Sequence, residues 1–263
     1  MTGPEALLWG LTLAAHVAAG LWPARGRALA RGMLFVAAAL LATATVSVRW
    51  AGVGHAPVFG TYENSLAAVW VLSIGWVVLF RLDAALRDVC RAGAWLNAAL
   101  LLWGVSFNTR RIPLTISEQS LWAEFHALFA WVAFWGLSVA FLNAGRALVR
   151  RGAAPPEKQA RTDEKTLAWL LFAFAALSIA TALGSIYEFQ LIGRWWSWDI
   201  IETTTVCSWL AMGLAVHMRI FHRWGGRRLA WLLALAYAFF LFAAWGIALL
   251  PNRSAFHFFE VGF

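Results

Sequence analysis

The residues best suited to chemistry fall into two sets. The first is six histidines: His16, His55, His126, His217, His222 and His257. Imidazole is a common metal ligand and changes charge near neutral pH. The second is the segment Arg194-Trp195-Trp196-Ser197-Trp198-Asp199-Ile200-Ile201-Glu202-Thr203, which packs three tryptophans into four residues just ahead of two carboxylates. One reading is an interfacial aromatic belt with acids that cap the next helix and complement its dipole. The other is a flat apolar shelf for a large planar ligand, with Arg194 placed to meet an acidic group on it. Other chemistry is thin. The sequence carries no P-loop, no G-x-S-x-G, no zinc-type Cys/His spacing and no dinucleotide-binding fingerprint. Cys90 and Cys207 form no C-x-x-C pair and read as small residues in or beside membrane helices.

The elements that position these residues are membrane helices. Of 263 residues, 62% are hydrophobic and 13% charged, the latter about half the charged share of a soluble domain. The apolar residues run in long stretches, of which eight approach the ~20 residues needed to span a bilayer. They are expected at about 5–22, 32–50, 63–80, 93–108, 121–144, 166–185, 201–220 and 229–249. The first is read as a retained helix, because Met1–Leu13 has neither a basic n-region nor a cleavage site. The net charge of +8 does not indicate nucleic acid, because the cations sit in short clusters between apolar runs. Loops near 25–31, 81–91, 146–165 and 219–228 hold all 21 Lys and Arg except Arg49, Arg110, Arg111, Arg194 and Arg253. The positive-inside rule puts the richer set in the cytoplasm. The expected fold is thus an all-α polytopic membrane protein of about eight transmembrane helices with both termini extracytoplasmic. It forms a single membrane-embedded domain, 1–263, with 146–165 as a flexible linker. His55, His126 and His257 then lie on the outer side, His222 in a cytoplasmic loop, and His16 and His217 within helices. An ionisable group inside a bilayer is usually functional; for His16 an interhelical hydrogen bond is the competing reading.

Three co-linear motifs resemble one family. Trp195-Trp-Ser-Trp-Asp199-x-x-Glu202-Thr203, followed by Val216-His217-Met218-Arg219, resembles the tryptophan-rich signature of the CcsA/ResC-type cytochrome c assembly proteins, relatives of CcmC and CcmF. Val48-Arg49-Trp50, Gly54-His55-Ala-Pro57 and Tyr62-Glu63 resemble a second family pattern, and Leu121-Trp-Ala-Glu-Phe-His126 a third. Ile200 and Ile201 stand where the family has Pro-Lys, and the tail ending in His257 matches only loosely.

The resemblance implies a membrane protein that binds haem b, delivers it to the outer membrane face and attaches it to apocytochrome c, as a component of a cytochrome c haem lyase. Haem iron is commonly held by two imidazoles from different helices. By resemblance, His126 and His257 flank the tryptophan segment as the axial pair. Trp195, Trp196 and Trp198 line the ring, Arg194 meets an acidic group, and Asp199 anchors the loop. His16 and His217 form an expected second, intramembrane pair. His55 either bonds a propionate or orders its loop. The implied partners are apocytochrome c, the lipid bilayer and a membrane protein of the CcsB/ResB type with a large extracytoplasmic domain. The implied location is the bacterial inner membrane. A rival reading is a haem-bearing membrane subunit of an electron-transfer complex.

Overall fold

The computed structural model describes residues 1–23, 28–111, 114, 119–150, 152 and 154–250. Among them are eight α-helices and no strand: α1 (Gly3–Leu21), α2 (Ala28–Val53), α3 (Gly60–Leu82), α4 (Arg87–Val105), α5 (Leu121–Val149), α6 (Pro156–Ile192), α7 (Ile200–Phe221) and α8 (Gly226–Ala244). Each expected apolar segment is a helix. Six of them, α2, α3 and α5–α8, are long and apolar enough to cross a membrane. The other two are more polar: α1 carries Glu5, Thr12 and His16, and α4 carries Arg87, Asp88, Arg91 and Asn97.

The boundaries differ where helix outlasts hydrophobicity. α6 has 37 residues, about 55 Å at ~1.5 Å per residue, against a hydrocarbon core of about 30 Å. Hydropathy detects only the part of such a helix that suits hydrocarbon. The charged stretch Glu157–Lys165 continues it with good helix formers, after Pro156 in the first turn. The expected linker of 146–165 therefore contracts to 150–155. At its other end α6 runs to Ile192 and stops at Gly193, whose φ of 73° is the left-handed backbone that glycine adopts without penalty. The last expected helix ends early, at Ala244, and continues as a 3₁₀ turn, Gly246–Leu249.

The helices group into two compact units, one formed by Met1–Glu124 and the other beginning at Phe125. In the first, α1 packs on α2 and α4, and α3 packs on the same two helices. Its interior is polar to a degree that hydropathy does not suggest. Arg49, 1% exposed, lies between two buried carboxylates, Glu5 and Glu63. Its Nε donates to Glu63 Oε1 at 2.7 Å and its Nη1 to Glu5 Oε1 at 3.4 Å. The remaining donors reach the carbonyls of Thr109 at 2.9 Å and Arg110 at 2.7 Å. Tyr62 donates its hydroxyl to Glu5 at 3.1 Å, and the partly exposed Arg111 approaches Glu5 at 3.5 Å. One guanidinium thus ties α1, α2 and α3 to the chain that follows α4.

A second cluster lies deeper. Ser73 donates its hydroxyl to the Val69 carbonyl at 2.6 Å, so its oxygen acts as acceptor for its other neighbours. Those are His16 Nε2 at 3.0 Å and Asn97 Nδ2 at 3.1 Å, while Trp76 Nε1 donates to Asn97 Oδ1 at 3.4 Å. His16 is fully buried, and the triad joins α1, α3 and α4.

The second unit has an aromatic interior. Phe134 of α5 stacks on Tyr237 and Phe240 of α8 at 5.4 and 5.1 Å between centroids, and packs against Trp245 at 5.2 Å. Asn143 of α5 donates to Thr162 O and Thr166 Oγ1 of α6. These contacts place α5, from Phe125 onward, with the last three helices rather than with the first four.

Breaking a buried ion pair by removing one partner costs about 3–5 kcal/mol, whereas an exposed pair contributes about 1 kcal/mol or less. Arg49→Ala is therefore expected to lower thermal stability in detergent far more than Arg111→Ala. Equal losses for the two variants would refute the central role of Arg49.

Candidate functional site

His126 lies in the second turn of α5, and its position depends on α6. Its Nδ1 is 2.7 Å from the carbonyl oxygen of Ala180. A carbonyl only accepts, so Nδ1 carries the proton and, in the neutral ring, Nε2 carries the lone pair. The approach needs Gly184: a Cβ there would fall 2.7 Å from the same Nδ1. A ring N–H donated to a main-chain carbonyl is the arrangement that fixes the tautomer and orientation of a metal-ligating histidine. The tautomer of His126 is thus the one that a metal-ligating histidine with a donated Nδ1–H adopts.

The tryptophan segment follows about two turns of α6 beyond Gly184. Because α6 continues to Ile192, the connection is short, 193–199. Trp195 stacks on Phe189 of α6, 4.4 Å between centroids and 13° between planes. Trp196 and Trp198 meet edge to face at 5.9 Å. Trp195 and Trp198 stay 57% and 71% exposed, and Arg194 is exposed beside them. Trp195 and Trp198 thus leave apolar ring surface uncovered next to a cation.

The two carboxylates do local work. Asp199 is the N-cap of α7 and accepts from Glu202 N at 2.8 Å. Glu202 returns the bond to Asp199 N at 3.3 Å, completing a capping box. The same oxygen, Oε2, also accepts from Ser197 N at 2.9 Å and Ser197 Oγ at 3.2 Å. The capping expected from sequence is present, and Glu202 reaches beyond it into the loop.

The other histidines have different surroundings. His55 is buried, with Nδ1 2.9 Å from the Ala56 carbonyl and its ring edge-on to Phe59. His16 belongs to the first unit, where its Nε2 is engaged by Ser73. His217 belongs to the second, exposed near the end of α7 with its ring 5.6 Å from that of His222, the exposed C-cap residue. His257 lies outside the described residues. No group of three or more His, Cys, Asp or Glu able to hold a bare metal ion occurs among the described residues. Neither Cys90 nor Cys207 takes part in a disulfide.

Sequence reasoning missed Glu5, Asn97 and Gly184. Glu5 had a signal, an acid at the start of an apolar helix with an arginine of opposite charge in the next. Gly184 had none, because its role is a close approach between two helices.

Gly184→Ala is expected to push the His126 ring off Ala180. Nitrogen-15 spectra of the histidine side chains should show the hydrogen-bonded Nδ1–H resonance lost; an unchanged resonance would refute the contact.

Comparison with known proteins bears on the same segments. The profile of the Cytochrome C assembly protein family matches residues 58–253, about three quarters of the chain. A cytochrome c biogenesis protein CcsA of Synechococcus sp. (strain RCC307) is 26% identical over 235 residues, covering 76% of this chain and 75% of that protein. The CcsA of Prochlorococcus marinus (strain MIT 9312) is 24% identical over 231 residues, 74% of each. Among solved structures, the cytochrome c heme lyase CcmF has a similar fold, with a TM-score of 0.66 at 20% identity over 96% of this chain. This chain spans only 46% of CcmF, somewhat under half its length. The histidine-bearing α5, the tryptophan segment and α7 all fall inside the family match, and the chain belongs to the cytochrome c assembly protein family.

Proposed function

We propose that this chain holds haem b where α6 gives way to α7 and presents it to apocytochrome c during cytochrome c maturation. The observation that carries this reading is His126, whose Nδ1–H is donated to Ala180 O and so fixes the tautomer and orientation typical of a metal-ligating histidine. Haem, when bound, supplies the iron and the vinyl groups to which cytochrome thiols are joined. The protein's own residues orient it. His126 and His257 would ligate the iron, Trp195, Trp196 and Trp198 would line the ring, Arg194 would pair with an acidic substituent, and Asp199 would anchor the loop. Their contribution is positioning, which raises the effective concentration of the reacting groups.

The loop charges support eight crossings with both termini extracytoplasmic. The haem site then faces the outside of a bacterial inner membrane, where a partner of the CcsB/ResB type supplies the large outer domain. His55, bound to its neighbour's carbonyl, orders its loop. His16, engaged by Ser73, locks helices together and is not a haem ligand in this reading. His217, exposed beside His222, is the histidine available to a second site.

A pyridine haemochrome assay on purified protein tests the assignment. His126→Ala and His257→Ala are expected to lose most of the haem or to turn high-spin, and His16→Asn to retain the wild-type spectrum. Unchanged haem in the first two variants would end the axial-pair proposal. In cells, deletion is expected to abolish cytochrome c maturation, with recovery on wild-type but not His126→Ala expression. Intact c-type cytochromes in the deletion strain would instead favour the electron-transfer reading.

A further inference from the structure

We infer that Glu202 is a positioning residue whose carboxylate fills a backbone nest in the tryptophan loop and so holds Trp198 in the orientation that meets the ligand. Three observations converge on it. Trp198 has φ +60°, one of two non-glycine residues in left-handed backbone among those described. Bulky L side chains rarely adopt that region, and such outliers persist only where neighbours over-determine them. The amides on either side of Trp198, those of Ser197 and Asp199, both point at Glu202 Oε2, at 2.9 and 3.3 Å. Alternate N–H groups that converge across a left-handed residue make the concavity that binds anions in backbone nests. Here the anion is supplied by the chain itself, and it is only 7% exposed.

A helix cap alone does not explain this. A capping box needs only the bond to Asp199 N, which is the longest of those made by Oε2. The shortest goes to Ser197 N, and Ser197 Oγ adds a third at 3.2 Å. The carboxylate is thus drawn towards the loop. Thr203 supports the same turn by donating to Trp198 O at 3.4 Å. The result is a tryptophan held in a disfavoured backbone with its indole 71% exposed. With most of its ring exposed, Trp198 gains little packing energy to offset that backbone cost. The loop instead holds the ring out for presentation, which reduces the ordering left to be done when a planar ligand arrives.

The inference rests on the haem-holding role proposed above, and its test separates the two. The full-length protein in nanodiscs is compared with Glu202→Ala, Glu202→Gln, Trp198→Gly, Trp198→Phe and the double variant Glu202→Ala/Trp198→Gly. Hydrogen exchange at Ser197 and Asp199, the melting temperature without ligand, and hemin titration are the readouts. Glu202→Ala is expected to speed exchange at both amides, lower the melting temperature and weaken hemin binding. Glu202→Gln, which keeps an acceptor oxygen without the charge, should fall between it and wild type. Trp198→Gly is expected to melt no lower than wild type, because glycine accepts the left-handed backbone, yet to bind hemin several-fold more weakly. Trp198→Phe should retain more hemin than the glycine variant. In the double variant, melting should recover relative to Glu202→Ala while hemin binding does not. Unchanged exchange in Glu202→Ala, a large melting loss in Trp198→Gly, or wild-type hemin binding in either would overturn the inference. If wild type itself fails to bind hemin, the haem-holding role fails, while exchange and melting still decide whether the nest exists.

Discussion

Within a bilayer no water is available to a polar group that lacks a partner, so each must be satisfied inside the protein. Much of this structure follows from that constraint. Arg49 is the clearest case: a guanidinium with 1% exposure between two carboxylates and two main-chain carbonyls, its charge neutralised within the first unit. Because these partners come from α1, α3 and the chain after α4, meeting the needs of one side chain also sets how those segments meet. The His16 cluster meets the same demand only in part: Ser73 and Asn97 are engaged with Nε2, while His16 Nδ1 is buried without a partner among the described residues.

In the second unit the constraint shapes the candidate site. The interior of that unit is aromatic, with Phe134, Tyr237, Phe240 and Trp245 stacked across α5, α8 and the turn that follows. Such packing is rigid, and rigid elements place functional groups more accurately than loops do. His126 is fixed by a carbonyl of the neighbouring helix, and Glu202 holds a loop of exposed tryptophans. Both polar groups lie near helix ends, where they order what faces outward. The unit therefore combines a close-packed body with an apolar surface kept deliberately uncovered at one end.

Family membership gives these features a common context. The tryptophan segment, the histidine of α5 and the end of α7 lie within the region matched to cytochrome c assembly proteins. The replacement of Pro-Lys by Ile200 and Ile201 leaves the cap intact, because Asp199 and Glu202 make the box with backbone groups on which the intervening side chains have no bearing. Ile200, 37% exposed, adds apolar surface next to the tryptophan segment.

Sequence alone determined the helices and their number, because a run of some twenty apolar residues has few other uses. It also identified the tryptophan segment and the cap of α7, since Asp and Glu three residues apart at a helix start form a local motif. It did not determine where α6 ends, because hydropathy tracks the hydrocarbon and not the helix. Nor could it assign α5 to the second group of helices, pair Arg49 with Glu5, or show that Gly184 makes room for His126. Those facts are contacts between segments distant in sequence, 44 residues apart for Arg49 and Glu5 and 58 for His126 and Gly184, and no local pattern encodes which side chains will face each other. The left-handed backbone at Trp198 was equally hidden: the residue type argues against it, and only the carboxylate brought back by the first turn of α7 makes it tenable.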